Sequence, residues 1–242
     1  VATPQISLCT LRDLEELGIA RDAIQGTPID QRRRTVRAAS GVLSPWLRKR
    51  QSLPLTPTID DEEVVTGGMT GGATVAHDAG PATRARDVAV KFTAAGTTGE
   101  AGILCAVNMD FGAFGSSYSA PVALPLDGKL VIDGYAWTIA GAVNVNDLFT
   151  YSTRVDPGAA TAVAQVAAFL MLGSRGVPAE TLETLQKLHD GAIAWAKAVA
   201  KGEGDLPLDA DATPTRAEAG PRYSGQKTPW QFLGGSSGPR DT

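Results

Sequence analysis

The feature that most constrains this chain is a helical pattern cut in two by a glycine-rich stretch of strand alternation. Residues 9–55 read as short helix, turn, long basic helix and stop, and residues 156–201 read as a helical hairpin. Between them, residues 57–155 carry period-two alternation and turn punctuation with almost no helical spacing. The expected fold is α+β: a helical scaffold interrupted by an antiparallel β-sandwich or small barrel. The expected units are a first helical part over 1–56, an inserted β domain over 57–155, a second helical part over 156–202, and an extended arm over 203–242. The arm loses periodicity and fills with Gly, Pro, Ser and charge. Tyr223, Trp230 and Phe232 are its isolated anchors, as in a segment that orders on a partner.

Local signals set the boundaries. Thr10 suits the cap of a helix over 11–17, with Asp13 favouring its positive end and Gly18 stopping it. Thr27-Pro28 opens the basic helix, with Ile29, Val36, Leu43 and Leu47 near one face. Ala38, Ala39 and Ser40 are small enough for a neighbour to approach, while Gly41 and Pro45 are expected to weaken the helix. Pro157 and Pro178 open the later helices, and Gly173 and Gly202 close them. Strands are expected over 87–93, 101–107, 118–124, 129–132, 135–140 and 147–153, with tight turns at Asp127-Gly128 and Asp133-Gly134. Gly67-Gly68 and Gly71-Gly72 read as a flexible loop.

Charge is distributed unevenly. The net charge is −4, but residues 1–56 carry nine Lys/Arg against five Asp/Glu, and residues 57–155 carry five against eleven. A basic first part and an acidic insert imply surfaces for different partners. The strongest cluster is Arg32, Arg33, Arg34 and Arg37. Its spacing fits an acidic protein partner, a phosphate backbone or a solvated face. An acidic chain without aromatics interleaved among its basic residues argues against DNA as the main ligand. Two cysteines, Cys9 and Cys105, are expected as free thiols. No apolar run approaches the ~20 residues of a membrane span.

No catalytic or metal-binding set assembles from the sequence, so the expected protein is not an enzyme and holds no cofactor. His77 and His189 are the only histidines, and neither has the companions a zinc site needs. GGMTGG over 67–72 lacks the Lys-Ser/Thr ending of a phosphate loop. The acidic run over 60–63 lacks the spacing of a calcium loop. Ser116, Ser117 and Ser119 lie beside turns, outside any nucleophile elbow.

Three stretches carry a family resemblance: CTLRDLEELGI at 9–19, WLRKRQSLPL at 46–55, and HDGAIAWAKAVAKGEGDLPL at 189–208. This layout resembles the Mu-type head–tail adaptor (connector) family of tailed phages, most closely at Leu188, Asp190, Ala194, Trp195, Lys197, Gly202 and Leu206. Simple members pass directly from the PLPL-like stretch to the second hairpin, whereas here the β segment intervenes. That insert is similar to small β-sandwich modules of phage structural proteins, with Asn146-Asp147 where those carry Gly-Asp.

The resemblance implies a four-helix adaptor scaffold in the virion neck, closed into a homo-oligomeric ring, usually a dodecamer. Its implied partners are the portal protein and a stopper or tail-side connector, with genomic DNA passing nearby and no membrane. The candidate portal contacts are Arg32, Arg33, Arg34 and Arg37, with Arg222, Tyr223, Trp230 and Phe232 in the arm. The alternative is a capsid or tail accessory protein whose β domain binds a glycan or a protein, with Tyr118, Tyr135 and Trp137 as stacking candidates.

Overall fold

The computed structural model describes residues 7–47, 57–59, 64–78, 84–173, 175 and 177–203. Among these residues, five helices flank eleven strands. Helices α1 (Leu11–Glu16), α2 (Arg21–Gln25) and α3 (Ile29–Leu47) precede the strands, and α4 (Pro157–Leu172) and α5 (Ala179–Lys201) follow them.

The helical part closes around α4. This helix is rich in alanine and buried on most of its surface, including Ala159, Val163, Ala164, Val166, Ala167 and Leu172. Small side chains let α3, α5 and the short α1 and α2 approach it closely, which is why its apolar residues do not form a single stripe. Leu14, Ile24, Val36, Leu43, Leu47, Leu185 and Val199 complete this core. Helix α3 runs through Gly41 and Pro45 to Leu47. Burial of Leu43 and Leu47 outweighs the two weak helix formers.

The ends of these helices are set by identifiable bonds. Thr10 and Asp13 form a reciprocal capping box on α1: the Thr10 amide donates to Asp13 Oδ2 at 2.7 Å and the Asp13 amide to Thr10 Oγ1 at 3.1 Å. Asp156 caps α4 by accepting from the Ala159 amide. Gly202 ends α5 in the left-handed conformation, at φ 85°. The Ser40 hydroxyl accepts the Leu8 amide at 3.1 Å, fastening the segment before α1 onto α3. Arg175 reaches from the α4–α5 turn to Thr27 Oγ1 and Gln31 Oε1.

The strands are β1 (Thr58–Ile59), β2 (Val65–Gly68), β3 (Thr74–Asp78), β4 (Arg86–Ala94), β5 (Gly96–Thr97), β6 (Leu104–Asn108), β7 (Val122–Ala123), β8 (Lys129–Ile132), β9 (Tyr135–Ala140), β10 (Ala142–Val143) and β11 (Leu148–Arg154). The larger sheet runs β1-β11-β4-β6-β7, with β2 also paired to β11; a second runs β3-β9-β8, and β5 pairs with β10. Every pairing among these strands is antiparallel, and outside them Ser7 and Arg84 form an isolated parallel bridge. The two main sheets bury one common core. Val88, Val90, Phe92, Cys105, Phe149 and Tyr151 come from the larger sheet, and Leu130, Ile132, Tyr135, Trp137 and Ile139 from the smaller. Trp137 lies at its centre, 4.3 Å from the Tyr151 ring and 5.3 Å from the Phe149 ring between centroids. Strand β8 and β9 join through Asp133-Gly134, both at positive φ, as a two-residue hairpin requires.

Several expectations need correction. The sheets do not close, so the small-barrel alternative falls. Helix α2 was not expected; it has five residues and no side-chain cap, too little to show a period. The segment expected as a strand over 118–124 pairs only at β7, and the residues before it form a long connection. The glycine-rich stretch expected as a flexible loop instead contains β2 and runs into β3. Its turn is fastened by Asp147, whose carboxylate accepts from the Thr70 amide at 2.8 Å, the Thr70 hydroxyl at 2.6 Å, the Gly71 amide at 3.0 Å and the Asn144 amide at 2.8 Å. Burial pushes this carboxyl up, but the four donors outweigh it and hold it down at about 2. Cys9 and Cys105 are free and buried, and burial raises both thiols.

Candidate functional site

The helical and β parts meet along a polar seam, and the candidate site is built there. Glu15, on the last turn of α1, and Arg32, on the first turns of α3, are both buried and form an ion pair. Neither closes on the other alone. Arg32 Nη2 donates to the Phe114 carbonyl, and Glu15 accepts the Phe114 amide at 3.1 Å. Gln25 Nε2 donates to the second Glu15 oxygen at 3.4 Å. A buried pair from the helical part therefore clamps both backbone polar groups of one residue in the β part.

A second clamp lies four residues earlier on the same connection. Asp110 accepts from Arg33 of α3 through Nε at 2.8 Å and through Nη2, and from Arg86 of β4 at 3.3 Å. Arg33 also reaches Asp30 at 3.0 Å. Charge-assisted bonds of this kind hold position as well as supply energy. Burial pulls the Arg33 guanidinium down, but its bonds to Asp110 and Asp30 more than offset this and leave it raised.

The connection between β6 and β7 also bonds to itself. The Asn108 side chain donates to Ser116 Oγ, the Val107 amide to Ser119 Oγ, and the Ser119 amide to the Val107 carbonyl. This long connection is thus tied internally and to both parts of the molecule. Yet its large side chains face outward: Phe114 is 58% exposed, Phe111 39% and Tyr118 37%. Val122 and Leu126 follow as exposed apolar residues. Exposed apolar side chains on a fixed backbone form a contact surface with little ordering cost on association.

The sequence-derived contact residues divide between this seam and other places. Arg32 and Arg33 are committed to Glu15, Phe114, Asp110 and Asp30, so they serve the joint between the two parts. Arg34 is exposed on α3, and Arg37 is half-buried with its Nε donating to the Arg33 carbonyl at 3.3 Å. Arg222, Tyr223, Trp230 and Phe232 lie outside the described residues. Of the three stacking candidates, Tyr135 and Trp137 are core residues, so they cannot form a glycan platform with Tyr118. The strand period places Tyr135, Trp137 and Ile139 on one face, and that face is the buried one. His77 lies on β3 beside Trp137, ring centroids 5.3 Å apart, and His189 lies on α5 against Phe169.

Sequence reasoning missed Glu15, Asp110 and Phe114. A Glu on a short helix and an Asp in a turn look ordinary locally, and only the tertiary joint reveals their role. A faint signal lies in the aromatic spacing: Phe111, Phe114 and Tyr118 are three and four residues apart in a stretch without regular structure. Among the described residues, no three His, Cys, Asp or Glu side chains converge as they would around a metal ion, and no helix is long and apolar enough to cross a membrane.

No protein-family model matches the chain, and no curated protein matches it. Among solved structures, two crystal forms of Xanthomonas campestris FlgL are similar over 61% of this chain, at 17% and 16% sequence identity. The TM-score is 0.28 in both cases, and 47% and 50% of the FlgL chains are covered. The chain thus spans about half the length of these structures. A similarity of this degree carries no assignment of fold or function.

Proposed function

We propose that this is a non-catalytic virion assembly protein, a head–tail adaptor that forms a ring between the portal and the downstream connector. The observation that carries the assembly reading is the clamped connection between β6 and β7. A buried ion pair and a shared aspartate fix its backbone, while Phe111, Phe114 and Tyr118 stay exposed. Fixed exposed aromatics suit the centre of a protein–protein contact. The adaptor reading adds the sequence resemblance of the two helical parts.

The occupant of this surface is a neighbouring copy of the chain. A ring needs two different patches that meet head to tail and close. The basic first part and the acidic insert supply complementary charge for such a pairing, with Arg34 exposed on the basic side. The C-terminal arm then serves the portal, with Trp230 and Phe232 as anchors.

The test is the native mass of the full chain, alone and mixed with the portal ring of the same virion. The adaptor reading expects a defined ring complex with portal. It fails if no complex forms at low or moderate salt. A Phe114→Ser variant that folds normally is expected to lose the ring while its monomer stays intact.

A further inference from the structure

A shallow groove of about 380 Å³ lies between α4 and α5, lined by none of the seam residues. Pro157 and Thr161 of α4 and Trp195 of α5 wall it, over a floor at the buried Ala162 and Ala192. Its lining among the described residues is uncharged and mostly apolar. The two helices run antiparallel here. Gly158 stands beside the Trp195 ring, and Phe169 meets His189 with ring centroids 4.5 Å apart. Gly191 opens the groove on the α5 side. Glycine inside a helix is unfavourable relative to alanine. Packing among the described residues does not demand it, since a Cβ at position 191 would meet nothing within 4 Å. A bare backbone there suits close approach by a segment outside those residues.

The described chain ends close to this groove. Helix α5 closes at Gly202, at φ 85°, where the Gly202 amide donates to the Val199 carbonyl at 3.0 Å and the Glu203 amide to the Ala198 carbonyl at 2.9 Å. This paired bonding turns the chain back from the helix axis. Gly204 and Asp205 follow, and then Leu206-Pro207-Leu208, which brings the first large apolar side chains after Val199. A residue before proline is biased to extended backbone. Trp195 and Gly191 lie about 10 Å and about 16–17 Å back along α5 from Gly202. Extended chain from Gly202 spans up to about 13–14 Å to Leu206 and about 20–22 Å to Leu208. Both leucines can therefore reach the groove of their own chain.

We infer that residues 206–208 fold back in the same chain onto the α4–α5 groove, with Leu206 against Trp195 and Leu208 over Gly191. So short a tether gives this segment an effective concentration of roughly millimolar, an advantage a neighbouring copy lacks. The docked segment sets where the C-terminal arm departs: from the α4–α5 face instead of beyond the end of α5. The inference concerns the isolated chain and stands whether or not the adaptor reading holds.

The experiment is disulfide trapping in the full chain at low concentration. Thr161→Cys places a thiol at the groove rim, and Asp209→Cys places one beside Leu208 while leaving both leucines intact. Cys9 and Cys105 are buried and stay out of the reaction. Mild oxidation is expected to give an intramolecular disulfide. It should form about tenfold faster or more than in a Val131→Cys/Asp209→Cys control, whose first thiol is exposed on β8. Equal rates in the two pairs, or no intramolecular product from the groove pair, overturn the inference. Disulfide-linked dimers in its place put a neighbour's segment in the groove and overturn it as well. Hydroxyl-radical footprinting gives a second reading without added cysteines. Oxidation of Trp195, read by mass on its own peptide, is expected to rise about twofold or more in Leu206→Ser/Leu208→Ser as the ring loses its cover. Unchanged Trp195 oxidation in that variant overturns the docking.

Discussion

Breaking the Glu15–Arg32 clamp should show what the joint between helices and sheets contributes. Glu15→Ala leaves the Arg32 guanidinium buried without its carboxylate and strips the Phe114 amide of its acceptor. Arg32→Ala leaves the Glu15 carboxylate buried and frees the Phe114 carbonyl. Removing one partner of a buried ion pair costs about 3–5 kcal/mol. Replacing both by apolar residues of similar volume removes the stranded charge. Glu15→Leu/Arg32→Met should therefore cost only about 1–2 kcal/mol, the residue of two unclamped backbone groups. The cycle should give a coupling of at least about 2 kcal/mol. Urea denaturation at neutral pH measures the three free energies, and hydrogen exchange measures the Phe114 amide directly. That amide should lose protection in both single variants and in the double one. Single variants costing less than about 1 kcal/mol, additive losses, or unchanged Phe114 protection would each refute the clamp.

Other perturbations test separate parts of the fold. Asp147→Asn keeps shape but replaces a charged acceptor of four donors, and should cost about 2 kcal/mol at pH 7 by urea denaturation. Because the folded carboxyl is held down at about 2, its contribution is fully present above the unfolded value near 4 and is lost as pH falls toward 2. The gap between wild type and Asp147→Asn should accordingly shrink below pH 4, and a gap constant to pH 2 would contradict the assignment. Trp137→Ala empties the centre of the sheet core and should cost about 3–5 kcal/mol in the same assay. Thr10→Ala removes the α1 capping box and should cost about 1 kcal/mol, seen as a lower thermal midpoint. Gly128→Ala brings a Cβ to 2.2 Å from the Ile139 carbonyl at φ +71°, so it should destabilise more than Gly99→Ala, where nothing lies within 4 Å.

The elements most legible in the sequence were those whose signal is local. Strands over 129–132 and 135–140 match β8 and β9, because alternation and an Asp-Gly turn act within a dozen residues. Caps and stops at Thr10, Pro157 and Gly202 were equally visible. Strands β2 and β3 were hidden because the glycines at 67–68 and 71–72, in β2 and in the turn before β3, suggest a loop, and the Asp147 carboxylate that fastens this turn lies more than seventy residues away. The same limit applied to the site. Arg32 and Arg33 stand out as charge on a helix, but their acceptors Glu15, Phe114 and Asp110 come from a short helix and a turn with no pattern of their own. Sequence spacing therefore found the basic cluster but not the groups that Arg32 and Arg33 pair with.

Site-specific photocrosslinking from position 114 in assembled particles tests the central claim most directly. A crosslinking amino acid replaces Phe114, whose ring is exposed while its backbone is held by Glu15 and Arg32. The account predicts a covalent product of two copies of this 25.1 kDa chain, absent when the purified monomer is irradiated at high dilution. Particles that yield no such product, or yield it equally from dilute monomer, would contradict the proposal that the clamped connection joins neighbouring copies.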